Sequence, residues 1–309
     1  MKTKILAAAA ALALTACNAA ENTAPAAESG SLAEPSLPLS MPEGGMGPFL
    51  ACLQDSNTAI LSAHRGGAGP GYPENAIETL AWNASVAPMM FEIDVRQTSD
   101  GEYVLFHDEE LQQDTDGSGF LAYHTLEDLK DVRYNGTDIG ISTLEEVVEW
   151  ARGKALLQLD VKRGIAFDPL IDWLEERDAT GFTLIITYNV DDAATVERAN
   201  DEIMISASVD NLGDLATLNA AGVPDERITA WTGLSTPRID LWRRLGERGI
   251  GANYGAFATL DEQNASGEAY RALVEAGLDV VSTDKPQFVY DALEERQDFA
   301  AAATACMAQ

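Results

Sequence analysis

Two of the three histidines in this 309-residue chain stand at the ends of short apolar runs. His64 follows one such run and His107 follows another, while Glu92 and Asp94 lie between them in a third. The spacing of Glu92 and Asp94 puts both carboxylates on the same face of a strand. Imidazoles titrate near neutral pH and grouped carboxylates bind cations, so this set indicates metal-assisted hydrolysis or phosphate transfer.

A third carboxylate, Asp160, ends another apolar run and completes a predicted metal site with Glu92 and Asp94. Three carboxylates favour a hard cation, Mg²⁺ or Ca²⁺, over zinc. We expect His64 and His107 to act as general acid and base, with no assignment of which does which. The alternative for any single acid is a solvated surface carboxylate, and for a lone histidine a structural role.

Two cationic residues adjoin the predicted metal site, Arg65 after His64 and Lys162 after Asp160. Arginine offers a two-pronged donor and lysine a point charge, so both are predicted to bind the substrate phosphate. The alternative is a salt bridge at the strand end, with Glu92 or Asp160 as partner.

Four further residues are weaker candidates for the substrate pocket. Glu74 and Asn75 are predicted to orient Arg65 or contact substrate hydroxyls, or alternatively to mark the start of a helix. Tyr188 and Trp231, with Tyr254, follow predicted strands and could form an aromatic wall for a quaternary ammonium group, although packing is an equally simple role.

The elements that must position these residues alternate between strand and helix, which predicts an α/β fold with a parallel sheet. Eight strands are predicted, at 59–63, 89–95, 155–161, 183–187, 203–207, 228–231, 250–253 and 279–283. Asp100-Gly101 predicts a hairpin that returns 102–107 antiparallel, with Asp94 roughly opposite His107. The remaining eight strands predict a TIM barrel with an insertion at about 108–142; a doubly wound sheet is the alternative.

The amino-terminal residues indicate export. Residues 1–16 resemble a lipoprotein signal peptide, because Lys2 and Lys4 precede an apolar core too short to span a bilayer and the segment leads to Cys17 in a lipobox-like sequence. We expect lipidation at Cys17 and a cell-envelope location at the outer membrane, facing the periplasm. An ordinary secretory signal cleaved near Ala20 is the alternative.

The chain then divides into a predicted flexible tether at 17–50 and one domain at 51–309. Cys52 and Cys306 are predicted to form a disulfide across the ends of that domain; unpaired thiols are the alternative. The net charge of −30 makes nucleic acid and anionic membrane surfaces poor partners, so the lipid anchor is the expected membrane contact and a small phosphodiester the expected substrate. Nothing in the sequence indicates the oligomeric state. The third histidine, His124, is predicted to lie at the surface.

Taken together, these residues resemble the glycerophosphodiester phosphodiesterase family. The motifs that carry the resemblance are His64-Arg65-Gly66, Pro73-Glu74-Asn75, Glu92-Ile93-Asp94, Asp100-Gly101, His107-Asp108, Ile141-Ser142-Thr143-Leu144-Glu145-Glu146, Asp160-Val161-Lys162 and Ser282-Thr283-Asp284-Lys285-Pro286. The resemblance implies a TIM barrel, a divalent cation on Glu92, Asp94 and Asp160, and catalysis by His64 and His107. It also implies hydrolysis of glycerophosphodiesters to sn-glycerol 3-phosphate and an alcohol.

Three positions depart from the family pattern. Asp160-Val161-Lys162 stands where the family usually has Glu-x-Lys, Ala76 stands where it commonly has Thr, and Gln113-Asp114-Thr115 replaces the usual Arg-Thr-Thr. The Asp-x-Lys form is similar to sphingomyelinase D-type phospholipases, which cyclise their products. The alternative functions are a lyase of that kind and a non-catalytic phosphodiester-binding lipoprotein of the cell envelope.

Overall fold

Eight parallel strands close into a barrel, and a ninth strand extends its rim. The computed structural model describes residues 31–308. Its strands are β1 (Ile60–Ala63), β2 (Met90–Gln97), β3 (Tyr103–Leu105), β4 (Leu156–Val161), β5 (Thr183–Thr187), β6 (Met204–Ser208), β7 (Ile228–Trp231), β8 (Gly251–Gly255) and β9 (Val280–Thr283). β1 pairs in parallel with both β2 and β9, which closes the barrel. The predicted TIM barrel is confirmed, and the doubly wound alternative is wrong.

Helices follow most of the barrel strands and cover the outside of the barrel; one further helix precedes the first strand, and a short one lies in the segment after β3. They are α1 (Met46–Asp55), α2 (Ile77–Val86), α3 (Leu126–Leu129), α4 (Leu144–Ala151), α5 (Phe167–Glu175), α6 (Val190–Ala199), α7 (Leu212–Ala220), α8 (Ile239–Gly246), α9 (Gly267–Glu275), α10 (Pro286–Glu294) and α11 (Phe299–Met307). Side chains near the helix N-termini determine where several helices begin. At α4, Thr143 and Glu146 form a reciprocal capping box. Within residues 31–308, none of these helices has the length and apolar content needed to cross a bilayer.

The predicted hairpin between β2 and β3 is present. The strands are antiparallel, and Gly101 in the turn has φ of 93°, a conformation that glycine adopts without strain. The register differs from the prediction by one residue, because the Phe106 amide donates to the Asp94 carbonyl at 3.0 Å. Phe106 therefore lies opposite Asp94, and His107 comes one residue later, where the chain leaves the sheet.

The residues after β3 form a small unit beside the barrel, in the region predicted as an insertion at 108–142. It contains α3 and has its own apolar cluster, separate from the main core, made of Ala76, Val104, Phe106, Leu111, Leu121, Leu129 and Tyr134. Since Val104 and Phe106 belong to the hairpin, this cluster anchors the unit next to the carboxyl end of β2.

The amino-terminal segment differs from the predicted tether at 17–50. Residues 1–30, which include Cys17 and the signal peptide, lie outside the described residues. From Leu32 onward the chain packs on the barrel: Leu39 is 1% exposed and its amide donates to the Lys154 carbonyl at 3.1 Å. The prediction of a flexible tether is thus wrong for residues 32–50. Widely spaced leucines and methionines in this segment bury apolar surface, although its overall composition is rich in Pro and Gly.

Helices α1 and α11 pack against each other and are joined by the predicted disulfide. Cys52 and Cys306 are bonded, with their Cα atoms 5.6 Å apart and a separation of 254 positions in sequence. Helix α1 lies at the amino-terminal ends of the strands, where Gln54 donates to the Ile250 carbonyl and to Asp279. The disulfide therefore fixes the element that closes this end of the barrel.

Removing this disulfide is expected to destabilise the protein. Because the cross-link closes almost the whole domain into one loop, Cys52→Ala with Cys306→Ala should lower the free energy of unfolding by roughly 2–5 kcal/mol. Thermal unfolding followed by circular dichroism measures the effect. Dithiothreitol should lower the Tm of the wild type to that of the double variant and leave the Tm of the variant unchanged. Equal Tm values for the two proteins without dithiothreitol would contradict the prediction.

Asp279, at the start of β9, is a buried acid that costs stability at neutral pH. Burial raises the pKa of Asp279 to about 6, although the hydrogen bonds that the Ala252 amide and Gln54 donate to its carboxylate act in the opposite direction. The folded state therefore holds the proton of this carboxyl group more tightly than the unfolded chain does. The resulting penalty grows as the pH rises from about 4 to about 6 and is complete above that range. Asp279→Asn should therefore raise the free energy of unfolding at pH 8, by up to about 3 kcal/mol, and give no gain at pH 4.

Urea unfolding of Asp279→Asn at both pH values tests this expectation. Asp131→Asn makes the same change of charge at an exposed acid and is the control. An equal gain at pH 4 and pH 8 would contradict the proposed cause.

Candidate active site

Three buried carboxylates meet inside the carboxyl end of the barrel. Asp94 on β2 and Asp160 on β4 are direct neighbours in the parallel register, and Glu92 lies two residues before Asp94 on the same face. One oxygen from each lies within 4.8 Å of the others, and Asp94 is only 1% exposed. The sequence-predicted trio is thus brought together as a potential metal site.

Lys162 is the cation closest to this trio. Its Nζ lies 2.5 Å from Asp94 Oδ1 and 2.6 Å from Asp160 Oδ2, so the salt-bridge alternative for Lys162 is what the structure shows. Burial would lower the pKa of Lys162, but the two aspartates outweigh it and raise the pKa. The ammonium therefore stays charged beside the carboxylates.

The electrostatics of the trio leave one carboxylate uncompensated. Burial, and then the charge of Asp94, raise the pKa of Glu92 well above the usual range for a glutamate. Burial acts in the same direction on Asp94, but Lys162 and the Asn75 amide stabilise its charge and lower its pKa. Three buried carboxylates against one ammonium form a negative, all-oxygen site that fits a divalent cation.

Asn75 orients Asp94 from the loop before α2. It is fully buried, its Nδ2 donates to Asp94 Oδ2 at 2.6 Å, and its Oδ1 accepts from the Asp94 amide at 2.9 Å. Asn75 has φ of 57°, a left-handed conformation that asparagine tolerates better than most residues. It does not cap the helix, since Ala76 precedes Ile77 as the N-cap of α2. Asn75 therefore lies at the helix boundary, as the alternative expected, but its side chain holds Asp94 and does not cap the helix.

Arg65 is held by acids on two sides. Its amide donates to Glu92 Oε2 at 2.8 Å, and its guanidinium donates to both oxygens of Glu74 at 3.1 Å. Glu74 therefore orients Arg65, one of the two roles predicted for it. Arg65 adopts φ of 51° in a tight turn, and a Cβ on the next residue, Gly66, would lie 2.6 Å from Leu80. The turn is thus specified by glycine and places His64 and Arg65 at the barrel mouth.

His64 is held by two groups that the sequence analysis did not link to it. Its Nδ1 lies 2.8 Å from Asp284 Oδ1, after β9. Its ring stacks on Phe257, with centroids 3.9 Å apart and an angle of 4° between the planes. In the sequence Asp284 stood out only as part of the Ser282-Thr283-Asp284-Lys285-Pro286 motif, and Phe257 carries no motif, so only the fold reveals these contacts.

His107 follows β3, which pairs with the end of β2 just beyond Asp94. Its Nδ1 is 2.9 Å from Asp108 Oδ1, and its charge helps to lower the pKa of Asp94. Arg96 donates from Nε to the His107 carbonyl at 3.0 Å and fixes the backbone there. Each predicted catalytic histidine thus has Nδ1 next to a carboxylate, which can only accept, so Nε2 is the atom left to exchange a proton.

A cleft of about 190 Å³ opens between the trio and the rim on the His64 side. Trp231, Tyr188 and Phe257 line it, and the Tyr188 hydroxyl donates to Asp160 Oδ1 at 2.9 Å although the ring is 65% exposed. Tyr254 does not reach this cleft, because it is buried and its hydroxyl contacts the Ser235 carbonyl. Of the three predicted aromatic residues, Tyr188 and Trp231 form the wall and Tyr254 packs in the core.

Comparison with known proteins agrees with this arrangement. The model of the glycerophosphoryl diester phosphodiesterase family matches residues 64–220, about half of the chain, and that segment contains the trio and both histidines. The chain belongs to this family. A crystal structure of a family enzyme from Parabacteroides distasonis is 30% identical, with a TM-score of 0.77, and the alignment covers 84% of this chain and 94% of that one.

Two further relatives extend the comparison. A glycerophosphodiester phosphodiesterase from Caldanaerobacter subterraneus is 33% identical over 120 residues, which is 37% of this chain and 49% of the relative, so the match spans about half of that curated protein. A phosphodiesterase from Oleispira antarctica, solved with the product sn-glycerol 3-phosphate, shares the fold with 22% identity and a TM-score of 0.62; the alignment covers 78% of this chain and 99% of that one.

Proposed function

We propose that this protein hydrolyses glycerophosphodiesters to sn-glycerol 3-phosphate and an alcohol, using a divalent cation, Mg²⁺ or Ca²⁺. The observation that carries the proposal is the buried trio of Glu92, Asp94 and Asp160 with His64 and His107 beside it. Membership of the family supports the same reaction, and the product bound by the Oleispira relative supports the substrate class.

The carboxylates of the trio and two cationic residues would bind the metal and the substrate phosphate. Glu92, Asp94 and Asp160 would hold the cation, whose charge stabilises the phosphate oxygens as negative charge develops on them. Arg65 adds a guanidinium next to the trio, 3.8 Å from Asp94 Oδ2, and Lys162 adds an ammonium. These positive groups offset the repulsion that an anionic substrate meets from a chain with a net charge of −30.

The two histidines would move the protons. One imidazole takes a proton at Nε2 from the nucleophile, and the other gives a proton from Nε2 to the leaving alkoxide. Asp284 and Asp108 hold the opposite nitrogens and so orient the rings. The nucleophile is water, or the 2-hydroxyl of the substrate glycerol, which forms a cyclic phosphate that is then opened.

A lyase like sphingomyelinase D is the second candidate, and Asp160 is the observation that favours it. The shorter side chain in Asp160-Val161-Lys162 matches the pattern of that group, and here it pairs with Lys162 and Tyr188. In this case the cyclic phosphate would be the final product and a choline-bearing lipid the substrate.

Phosphorus NMR distinguishes the two reactions directly. The chain from Asn18 onward is incubated with glycerophosphocholine and, in parallel, with lysophosphatidylcholine as a choline-bearing lipid, each in Mg²⁺, in Ca²⁺ and in chelator. Metal-dependent appearance of glycerol 3-phosphate supports the hydrolase, whereas a persistent cyclic phosphate supports the lyase. Ligand binding without turnover in any metal would overturn both and favour a phosphodiester-binding protein.

We also propose a cell-envelope location through a lipid on Cys17. The disulfide supports an oxidising compartment, since such bonds persist outside the cytosol. Metabolic labelling with a palmitate analogue tests it: the wild type should take up label, and Cys17→Ser should not.

A further inference from the structure

A second opening adjoins the trio on the His107 side. This groove has a volume of about 310 Å³ and lies between the end of β2, the insertion and the loop after β4. Its lining includes three cationic side chains and two exposed aromatic ones: Arg96, Lys162, Arg163, Phe120 and Tyr123. The 190 Å³ cleft on the His64 side has a different lining, so the trio lies between an aromatic cleft and a cationic groove.

The groove carries cationic side chains with unused hydrogen-bond donors, in a strongly acidic protein. Arg163 is exposed, and it has no hydrogen bond or ion pair to any residue among 31–308. Arg96 uses Nε and Nη2 on the His107 carbonyl, which leaves Nη1 with no partner among the same residues. Among the described residues, Glu109 is the acid that lines the groove; it is exposed, and it acts on Arg96 through its charge, as Asp94, Asp108 and Asp160 also do. Two guanidiniums with unused donors favour an anionic ligand, and phosphate matches their geometry.

The groove adjoins the reaction site through Lys162. Lys162 lines the groove and also contacts Asp94 and Asp160, while Arg96 holds the backbone of His107. An anion bound by Arg96 and Arg163 would therefore lie beside the reaction site, so that a single substrate with a linker between two phosphates would contact both. Phe120 and Tyr123, whose rings pack edge to face at 5.7 Å, form an apolar wall for that linker.

We propose that this groove binds a second phosphate of the substrate, so that the protein prefers glycerophosphodiesters whose alcohol carries a further phosphodiester. The inference rests on the proposed function and adds the substrate class. Arg163 is a specificity-determining residue in it, and Arg96 both binds the second phosphate and positions His107.

Two matched substrates test the proposal. Bis(glycerophospho)glycerol carries two phosphodiesters and glycerophosphoglycerol carries one, and both release glycerol 3-phosphate. The ratio of their kcat/KM values is measured for the wild type, Arg163→Gln and Arg244→Gln. Arg244 is the control, since it is also exposed, has no partner among residues 31–308 and lies outside the groove lining. The statistical advantage of two cleavable bonds is the same in all three proteins and cancels.

We expect the wild type to prefer the double diester, and Arg163→Gln to reduce the ratio about three- to tenfold, as for loss of one partly screened charge contact. Arg244→Gln should leave the ratio unchanged. Raising the NaCl concentration from 50 to 300 mM should lower the ratio in the wild type, because salt screens the charge contact. Turnover of both substrates with a ratio insensitive to Arg163→Gln would overturn the second phosphate site and leave the proposed function standing. Turnover of neither would overturn the proposed function itself.

The exposed aromatic residues could instead dock on lipid, and one further arm separates this case. Sedimentation with vesicles of anionic phospholipid is compared for the wild type and Arg163→Gln. A loss of vesicle binding without a change in the substrate ratio would assign the groove to a membrane surface and overturn the proposal.

Discussion

Alanine at His64 or at His107 is expected to lower kcat/KM for a glycerophosphodiester by at least about 10²-fold, the usual lower limit for loss of a general acid or base. The reason is positional: each imidazole stands beside the trio with Nδ1 held by a carboxylate, Asp284 or Asp108, and Nε2 available for proton transfer. Initial rates of glycerol 3-phosphate release measure the loss.

His124→Ala is the matched control for both variants. This histidine lies in the insertion, where its Nε2 contacts the Ser118 carbonyl at 3.0 Å and no carboxylate of the trio. Its replacement should leave turnover within about twofold of the wild type, the range of an ordinary surface substitution. Near-wild-type turnover in His64→Ala or His107→Ala would remove that residue from the mechanism.

Asp94→Asn is expected to weaken cation binding at least tenfold and to lower kcat/KM by at least about 10²-fold, because the cation supplies several kcal/mol of charge stabilisation. Asp94 lies at the centre of the site: Asn75 and Lys162 hold its oxygens, and Arg65 lies 3.8 Å away. The amide keeps the size of the side chain but removes one of the charges that attract the cation. Isothermal titration with Ca²⁺ and Mg²⁺ measures binding independently of activity.

Glu102→Gln makes the same change of charge on the same hairpin, at an exposed position outside the trio, and should leave cation binding unchanged. If Asp94→Asn binds both cations as tightly as the wild type, the trio does not hold the metal. If binding is lost and turnover remains, the reaction does not depend on that metal.

Much of the site was predictable because its residues are set by strand periodicity. A two-residue spacing is enough to put Glu92 and Asp94 on one face, and parallel strands carry their carboxyl ends to one edge of the barrel. The Asp100-Gly101 turn likewise predicted that the chain returns antiparallel after β2. It did not set the register: Phe106 lies opposite Asp94, because hydrogen bonding and the burial of Phe106 decide which residues pair.

Other parts of the site depend on contacts between distant residues. Phe257 stacks on His64 across 193 positions of sequence, a contact that no local pattern encodes. Asn75 illustrates the same limit: its position suggested a helix start, whereas its side chain holds Asp94. Residues 32–50 show the opposite case, since their composition suggested a tether while a few apolar side chains sufficed to dock them.

The sequence by itself determined the barrel, the hairpin, the cysteine pair and the identities of the acids and histidines, because periodicity, turn chemistry and residue type are local properties. Only the tertiary structure decided how they are arranged. It paired Lys162 with Asp94 and Asp160, set Asp284 and Phe257 against His64, and left Arg163 without a partner among residues 31–308, at a groove beside the trio. Which charges neutralise one another depends on distances across strands and loops, and those exist only once the barrel has closed.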